Sequence, residues 1–271
     1  MKTDEKQIRH GVALLAVTIL ILAITGGYMA IDRYLVGGEV VTYGMANSTD
    51  KGWMLSTGRI RAYFEDEILT DSVAQTIQNI AAFGMDLAKN RRGAAYFSYP
   101  RPEECGWYGK EQISDWFSIR EDERLHLGDV YLNAMGDDAN SYLYYELVHL
   151  SGSLFPAISA TKWSAFLVNA VALVAVLLLL YGIAGYFTAD TKRQLLVCLL
   201  FGCSVGCLDL STYLRAYMLA MAFQLALLLV HLKLYQAMRD GMEKAVRRDI
   251  AGLLVLYPLG YIAHYTTGVW A

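Results

Sequence analysis

The sequence predicts a mainly α protein, a polytopic membrane helix bundle of about five helices with a large, partly helical extracytoplasmic loop after helix 1. Two observations predict this fold class: charge is segregated by segment, and several segments are apolar enough to lie in a bilayer. The 271 residues are 55% apolar and carry 23 basic and 26 acidic groups, so average composition does not separate a soluble from a membrane protein. The distribution does, because residues 167–187 and 218–232 contain no Asp, Glu, Lys or Arg.

Five windows have the composition of membrane helices. About 20 apolar residues cross the roughly 30 Å hydrocarbon core as a helix, since a helix satisfies every backbone group internally. The windows are 11–30, 166–187, 195–210, 215–236 and 250–270. The third is short, and the fifth is interrupted by Pro258 and closes the chain. The first has an alternative interpretation as the apolar part of a cleaved signal peptide, although it is long and no small-x-small cleavage site stands out before Asp32.

Basic residues near helix ends predict the orientation of the bundle, because they hold their loops in the cytoplasm. They lie before the first window, between the second and third, and between the fourth and fifth: Lys2, Lys6, Arg9, Lys192, Arg193, Lys233, Arg239, Lys244, Arg247 and Arg248. The sequence therefore predicts a multi-pass protein of the cell membrane with a cytoplasmic amino terminus. Its parts are a tail with helix 1 (1–31), an extracytoplasmic loop domain (32–162) and helices 2–5 (163–271).

The extracytoplasmic loop is predicted to be folded. It has about 130 residues, which is too long for a structureless connection and is the size of a small domain. Apolar residues recur at helical spacing within 70–87, at Val73, Ile77, Ile80, Phe83 and Leu87. This spacing predicts an amphipathic helix lying on the membrane surface or on the bundle.

Three polar groups fall where the predicted membrane helices meet this loop, and polar residues at a membrane edge are costly enough to suggest function. The first contains Glu39 and Tyr43, and its alternative interpretation is a solvated helix end. The second runs from Asp137 through Asp138, Asn140, Tyr144 and Tyr145 to His149. Its adjacent acids can bind a divalent cation or orient a sugar hydroxyl, or they can form a turn and a helix cap.

The third group, residues 211–217, contains Arg215 and Tyr217. The Arg215 guanidinium can clamp a phosphate through bidentate hydrogen bonds, or it can snorkel or pair with Asp209. His264, near the end of the last window, completes the candidates, and a lone histidine there is more often structural. Together these residues place acids, an arginine and tyrosines on one membrane face, as a site for an amphiphilic phosphate-containing donor requires.

The order of motifs resembles that of the bacterial polytopic glycosyltransferases of the type C fold, the group of protein mannosyltransferases and lipid A sugar transferases. Residues 37–48, Gly-Gly-Glu-Val-Val-Thr-Tyr-Gly-Met-Ala-Asn-Ser, are similar to a family pattern of Gly-Asp-Glu followed by Thr-Tyr-Gly-Leu-Ala-Asn-Ser. Residues 138–145, Asp-Ala-Asn-Ser-Tyr-Leu-Tyr-Tyr, are similar to Asp-Val-His-Pro-Pro-Leu-Tyr-Tyr. Arg-Ala-Tyr-Met-Leu at 215–219 resembles Arg-Met-Tyr-x-Leu, and Ala-His-Tyr at 263–265 resembles Thr-His-Tyr-Tyr.

This resemblance implies transfer of a sugar from a polyprenyl-phosphate donor on the outer face of the membrane. It implies Glu39 and Asp138 as catalytic acids, and Arg215 near the donor phosphate. The further substrate-binding residues that we expect are Tyr43, Asn140, Tyr144, Tyr145, Tyr217 and His264. The partners expected are the lipid-linked sugar donor and membrane lipid, with no nucleic acid; the cofactor expected is at most a divalent cation.

Two departures from the family pattern favour an alternative. Gly38 stands where the family has its aspartate, and Asn140-Ser141-Tyr142 replaces the His-Pro-Pro element. The chain also stops in its fifth apolar window, where family members continue, so we expect a truncated or divergent member whose missing helices are supplied by a partner subunit. The alternative is a non-catalytic membrane protein that keeps the scaffold for lipid binding or subunit association.

Overall fold

The computed structural model describes residues 2–31, 35–47, 68–89, 109–134 and 141–270 of the chain. Within these ranges the fold is helical and contains no strand, which confirms the mainly α class. The helices are α1 (Lys2–Ile31), α2 (Gly37–Asn47), α3 (Val73–Lys89), α4 (Lys110–Phe117), α5 (Leu127–Ala134), α6 (Tyr142–Leu154), α7 (Lys162–Phe187), α8 (Thr191–Gly202), α9 (Val205–Thr212), α10 (Tyr217–Arg239) and α11 (Glu243–Ala263). Short 3-10 turns cover Glu121–Glu123, Pro156–Ile158 and Tyr265–Trp270.

Three of the described helices are long and apolar enough to cross a membrane: α1 from Arg9 onward, α7 and α10. The short window 195–210 forms α8 and α9, which bend by 61° and make a fourth crossing if they act as one span. The bend falls at Cys203 and Ser204, where the Ser204 hydroxyl accepts a hydrogen bond from the Cys207 N–H (3.1 Å) and caps α9. The molecule is therefore a membrane helix bundle with three to four candidate spans among the described residues.

The fifth window is not among these candidate spans. Its residues complete α11, which begins with a charged turn at Glu243 and ends at Ala263, and the chain then continues as a 3-10 turn. α11 therefore combines a polar first half with an apolar second half, and it is not among the helices apolar enough to cross a membrane.

α7 lies at the centre of the bundle, where it packs against α6, α8 and α10. Its buried residues Leu173, Val176 and Leu177 form one apolar core with residues from α1, α8, α9 and α10. A Cβ at Gly202 would overlap the Ile21 side chain, so this glycine lets α1 and α8 approach closely.

A second apolar core lies at one end of the spanning helices. We call this end of the bundle the loop face, because α2 and α6 pack there. α2 begins six residues after α1 ends and is buried along most of its length. Side chains cap its final carbonyls: the Asn133 amide donates to the Gly44 and Met45 carbonyls (3.1 and 2.9 Å), and the His149 Nδ1 lies 2.8 Å from the Ala46 carbonyl oxygen. α2 is thus held as a rigid part of the loop face.

The amphipathic helix predicted over 70–87 is present as α3. Its apolar residues Val73, Ile77 and Ile80 are exposed, whereas Phe83 packs against the core of the loop face. Much of the apolar side of α3 is therefore left uncovered by the described part of the protein.

Candidate functional site

The first turn of α2 is joined to the segment between α9 and α10 by the Glu39 carboxylate. Glu39 is only 4% exposed; its Oε1 accepts a hydrogen bond from the Leu214 N–H (3.0 Å) and its Oε2 one from the Val36 N–H (2.9 Å). The Thr42 hydroxyl donates to the Leu214 carbonyl (2.8 Å), so both backbone groups of Leu214 bond to α2. Glu39, predicted as a catalytic acid, therefore also holds the framework of the site.

Arg215 lies directly beside this junction. Its guanidinium Nη1 donates to the Gly38 carbonyl (3.0 Å), and its side chain is half-buried. The alternative pairing with Asp209 is not formed, and no acidic group of the described residues lies within ion-pair distance of Arg215. Arg215 and Glu39 are thus adjacent, and most N–H groups of the guanidinium lack a carboxylate partner within the described ranges.

Gly38 has no space for a side chain. A Cβ at this position would overlap the Tyr213 hydroxyl and would lie 3.8 Å from the Arg215 Cδ. Tyr213 therefore fills the space that a side chain at position 38 would need.

Three of the predicted tyrosines are buried: Tyr43 on α2, and Tyr144 and Tyr145 on α6. The Tyr43 hydroxyl donates to the Thr161 carbonyl (2.7 Å) and accepts from the Ser164 hydroxyl (3.2 Å), and burial raises the pKa of Tyr43 to about 12. Tyr144 and Tyr145 pack with their rings edge to face, 6.4 Å between centroids. These positions make Tyr43 and Tyr145 parts of the core of the loop face rather than of an open surface.

Tyr144 differs from its neighbours because its buried hydroxyl has no hydrogen-bond partner in the described structure. Burial raises the pKa of Tyr144 well above its ordinary value; electrostatic interaction with Tyr43 and Glu39 raises the pKa further, and interaction with Arg215 lowers it. Tyr144 is therefore neutral and electrostatically coupled to both charged residues of the site.

An aromatic row extends from this site across the loop face. Tyr213 and Tyr217 stack with an interplanar angle of 12° and centroids 5.9 Å apart, and Tyr217 lies 5.4 Å from the His264 ring. His264 in turn stacks on Tyr265 at 4.6 Å. The buried His264 Nδ1 accepts a hydrogen bond from the Thr266 N–H (3.3 Å), which fixes the ring orientation. Tyr217 and Tyr265 remain exposed and present ring faces and edges to a ligand.

A cavity of about 450 Å³ opens between the ends of α1, α2, α9 and α10. The residues lining it are Tyr28, Val36, Glu39, Asp209, Leu210, Thr212, Tyr213 and Tyr217. It therefore combines two carboxylates with three tyrosines, which suits a hydroxyl-rich ligand such as a sugar.

The structure brings together Glu39, Tyr43, Tyr144, Arg215 and Tyr217, with His264 farther along the aromatic row. Asp138 and Asn140 lie outside the described residues. Within the described ranges, no group of three or more His, Cys, Asp or Glu side chains has the arrangement of a metal site.

Two residues at the site were not selected from the sequence. Tyr213 occupies the space above Gly38, and the buried Asn169 amide of α7 donates to the carbonyls of Ser211 (3.1 Å) and Tyr213 (3.0 Å). Asn169 could have been found from the sequence, because it is a lone amide inside the apolar window 166–187. Tyr213 lies in the polar group 211–217, but nothing in the sequence separated it from its neighbours there.

The fold and the site define an α-helical membrane protein with a polar, aromatic-lined site at one end of its bundle. Comparison of the chain with protein-family models, with curated proteins and with solved structures found no match in any of the three.

Proposed function

We propose that this chain is a membrane glycosyltransferase-like protein that binds a polyprenyl-phosphate sugar at the loop face and transfers the sugar to an acceptor. The observation that carries the proposal is that the half-buried Arg215 donates to the Gly38 carbonyl, next to the buried Glu39, which itself lines a cavity with Asp209 and three tyrosines. The loop face is then the outer face of the cell membrane, as the basic residues at the opposite helix ends predict.

Arg215 is the residue expected to bind the donor phosphate. A guanidinium uses one N–H on the Gly38 carbonyl here and has four more, enough for a bidentate contact to phosphate oxygens. Its partial burial strengthens such a contact, because water screens it less than at an open surface. The positive charge also stabilises the phosphate that leaves when the bond to the sugar breaks.

Carboxylates at the cavity supply the acid-base chemistry that transfer requires. The acceptor hydroxyl oxygen forms a bond to the anomeric carbon, the bond from that carbon to the phosphate oxygen breaks, and the hydroxyl proton passes to a carboxylate. Glu39 lines the cavity and is held in place by two backbone N–H groups, and Asp138 is the second acid that the resemblance implies. The exposed ring of Tyr217 offers a surface on which the sugar can pack.

The arrangement at Gly38 favours a second candidate, a non-catalytic protein that binds the lipid phosphate. The Tyr213 hydroxyl occupies the space that a side chain at position 38 would need, and each Glu39 oxygen already accepts a backbone hydrogen bond. A chain with these features can keep the phosphate site while lacking a base for transfer.

Binding and transfer can be measured separately on the purified full chain in lipid nanodiscs, with a polyprenyl-phosphate sugar labelled in the sugar. We expect Arg215→Ala to weaken donor binding about 10- to 100-fold, the effect of losing charge-assisted hydrogen bonds. Arg120→Ala is the matched control, because Arg120 is exposed on the same side of the bundle and pairs with Asp115.

Arg215-dependent binding with release of labelled sugar to an acceptor supports the transferase, and the same binding without release supports the second candidate. Equal effects of the Arg215 and Arg120 substitutions would contradict both, because Arg215 would then have no specific role with phosphate.

A further inference from the structure

Asn169 is the only amide side chain between residues 166 and 187, and it is fully buried in α7. A polar group inside an apolar helix bundle is costly unless it is hydrogen-bonded. The Asn169 amide nitrogen donates to the Ser211 carbonyl (3.1 Å) and to the Tyr213 carbonyl (3.0 Å). Two carbonyl oxygens require a group with two N–H donors, so the NH₂ end of the amide is the end that faces them. Asn169 therefore holds the backbone that leads into Arg215.

This backbone is the turn between α9 and α10. In a continuing helix the Arg215 N–H would donate to the Ser211 carbonyl, but here it donates to the Tyr213 carbonyl (2.8 Å). The Ser211 carbonyl then needs another donor, because a buried backbone acceptor left unpaired is unfavourable. Asn169 supplies that donor. The chain can thus turn sharply at this point inside the bundle.

The segment Tyr213–Arg215 is held from two sides. Asn169 fixes it to α7, the central helix of the bundle, and both backbone groups of Leu214 bond to α2. The Arg215 side chain leaves the backbone directly after these contacts and donates to the Gly38 carbonyl (3.0 Å). The orientation of the guanidinium therefore depends on contacts with α7 as well as with α2.

We infer that Asn169 is a positioning residue that sets the orientation of Arg215 toward the donor phosphate. A bidentate contact between a guanidinium and a phosphate depends on orientation, and a displacement of about 1 Å is enough to weaken it. Without the amide, the Ser211 and Tyr213 carbonyls lose their donor and the turn before Arg215 relaxes. The inference rests on the proposed function, because it concerns the phosphate contact that Arg215 makes there.

The test is a double-mutant cycle on the full chain in lipid nanodiscs, with binding of the labelled polyprenyl-phosphate sugar as the readout. The chains are the wild type, Asn169→Leu, Arg215→Ala and the double variant. We expect Asn169→Leu to weaken binding about three- to tenfold, less than Arg215→Ala does. It should cause no further loss in the Arg215→Ala chain, because the group that it positions is then absent. If Asn169→Leu does not fold, the smaller Asn169→Ala provides the same cycle.

Asn47→Leu is the matched control, measured for binding and for the unfolding midpoint. Asn47 is also a buried amide, and its nitrogen donates to the carbonyls of Phe117 (2.8 Å) and Ser159 (3.3 Å), which lie outside the turn before Arg215. Both asparagine substitutions should lower the unfolding midpoint, because each leaves two carbonyls without a donor. Only Asn169→Leu should weaken binding of the donor.

Three results would overturn the inference while leaving the proposed function in place: unchanged donor binding by the Asn169 variants, losses from Asn169→Leu and Arg215→Ala that multiply in the double variant, or an equal loss of binding in Asn47→Leu. The second result would show that Asn169 acts independently of Arg215, and the third that any buried amide has the same effect. If Arg215→Ala itself leaves donor binding unchanged, the proposed function fails and the inference fails with it.

Discussion

At the scale of single residues, the junction of α2 with the Tyr213–Arg215 segment depends on contacts between individual atoms. The Gly38 carbonyl accepts from Arg215, and the absence of a side chain at Gly38 leaves room for the Tyr213 hydroxyl. Glu39 then joins α2 to Leu214. Adding or removing one or two side-chain atoms would change each of these contacts. Small substitutions at this junction should therefore have measurable effects.

Gly38→Ala should destabilise the protein, because the added Cβ overlaps the Tyr213 hydroxyl. We expect the free energy of unfolding to fall by about 1–3 kcal/mol, the usual range for an overpacked site. Tyr213→Phe in the same chain removes the hydroxyl and should restore most of the loss, since the remaining ring carbon lies 3.4 Å from the new Cβ. The measurement is the unfolding midpoint in detergent.

Gly37→Ala is the control for this substitution, because a Cβ at Gly37 meets no atom within 4 Å. If Gly37→Ala and Gly38→Ala change the unfolding midpoint equally, the contact between position 38 and Tyr213 is not formed.

The protein should lose stability at alkaline pH, because the hydroxyl of Tyr43 is buried. Burial raises its pKa from the ordinary 10.0 to about 12 in the folded state, so the folded protein keeps a proton that the unfolded chain loses. The resulting stability is complete below pH 10 and is lost as the pH rises toward 12. At 1.36 kcal/mol for each pKa unit, the loss is about 3 kcal/mol.

The measurement is the free energy of unfolding between pH 9 and 12 for the wild-type chain and for Tyr43→Phe. Tyr43→Phe should be less stable than the wild-type chain at every pH, because it lacks the hydrogen bond to the Thr161 carbonyl. Its free energy of unfolding should decline less steeply above pH 10. Tyr235→Phe, a change at an exposed tyrosine, should leave the wild-type slope intact. A slope that is the same in all three chains would contradict this prediction.

At the scale of elements, α3 has an apolar stripe that the described part of the protein does not cover. Val73, Ile77 and Ile80 are exposed on one side, while Phe83 holds the helix against the core of the loop face. The loop face lies at the ends of membrane helices, where an amphipathic helix can place its apolar side among the lipid headgroups and upper acyl chains. Of the two placements that the sequence left open, we therefore expect the membrane surface for this stripe.

This placement can be measured with a fluorescent label whose emission depends on polarity, attached to single cysteines after the four native cysteines are replaced by serine. A label at Ile77→Cys should emit at shorter wavelength and be quenched by lipids carrying a quencher in the upper acyl chain, because it lies in an apolar layer. A label at Gln78→Cys, the next residue, lies about 100° around the helix and outside the stripe, and should show neither effect. Equal spectra at both sites would place the stripe in water.

At the scale of the whole molecule, the charges at the helix ends predict the orientation of the bundle. The connection between α7 and α8 carries Lys192 and Arg193 and is expected in the cytoplasm, while the loop face is expected outside. A cysteine at Ala189 in that connection should be protected from a membrane-impermeant maleimide in intact cells. A cysteine at Glu121 on the loop side should be labelled, and the reverse pattern would invert the proposed orientation.

The candidate site also reflects the whole fold. Glu39 and Arg215 were selected from the sequence one at a time, and the structure places them side by side through the Gly38 and Leu214 backbones. The 175 residues that separate Glu39 from Leu214 leave no local pattern from which this contact could be predicted. The sequence also could not predict that Asp209 and Arg215 form no ion pair. Their relative position depends on how α9 bends away from α8 and on where α9 ends.

The sequence by itself determined the membrane class, the main apolar spans and the presence of α3, because hydropathy and helical periodicity are properties of consecutive residues. Only the tertiary structure decided that α8 and α9 bend. It also decided that Tyr213 fills the space above Gly38. These features arise where distant segments pack together, and that packing depends on the shapes of both partners rather than on the composition of either one.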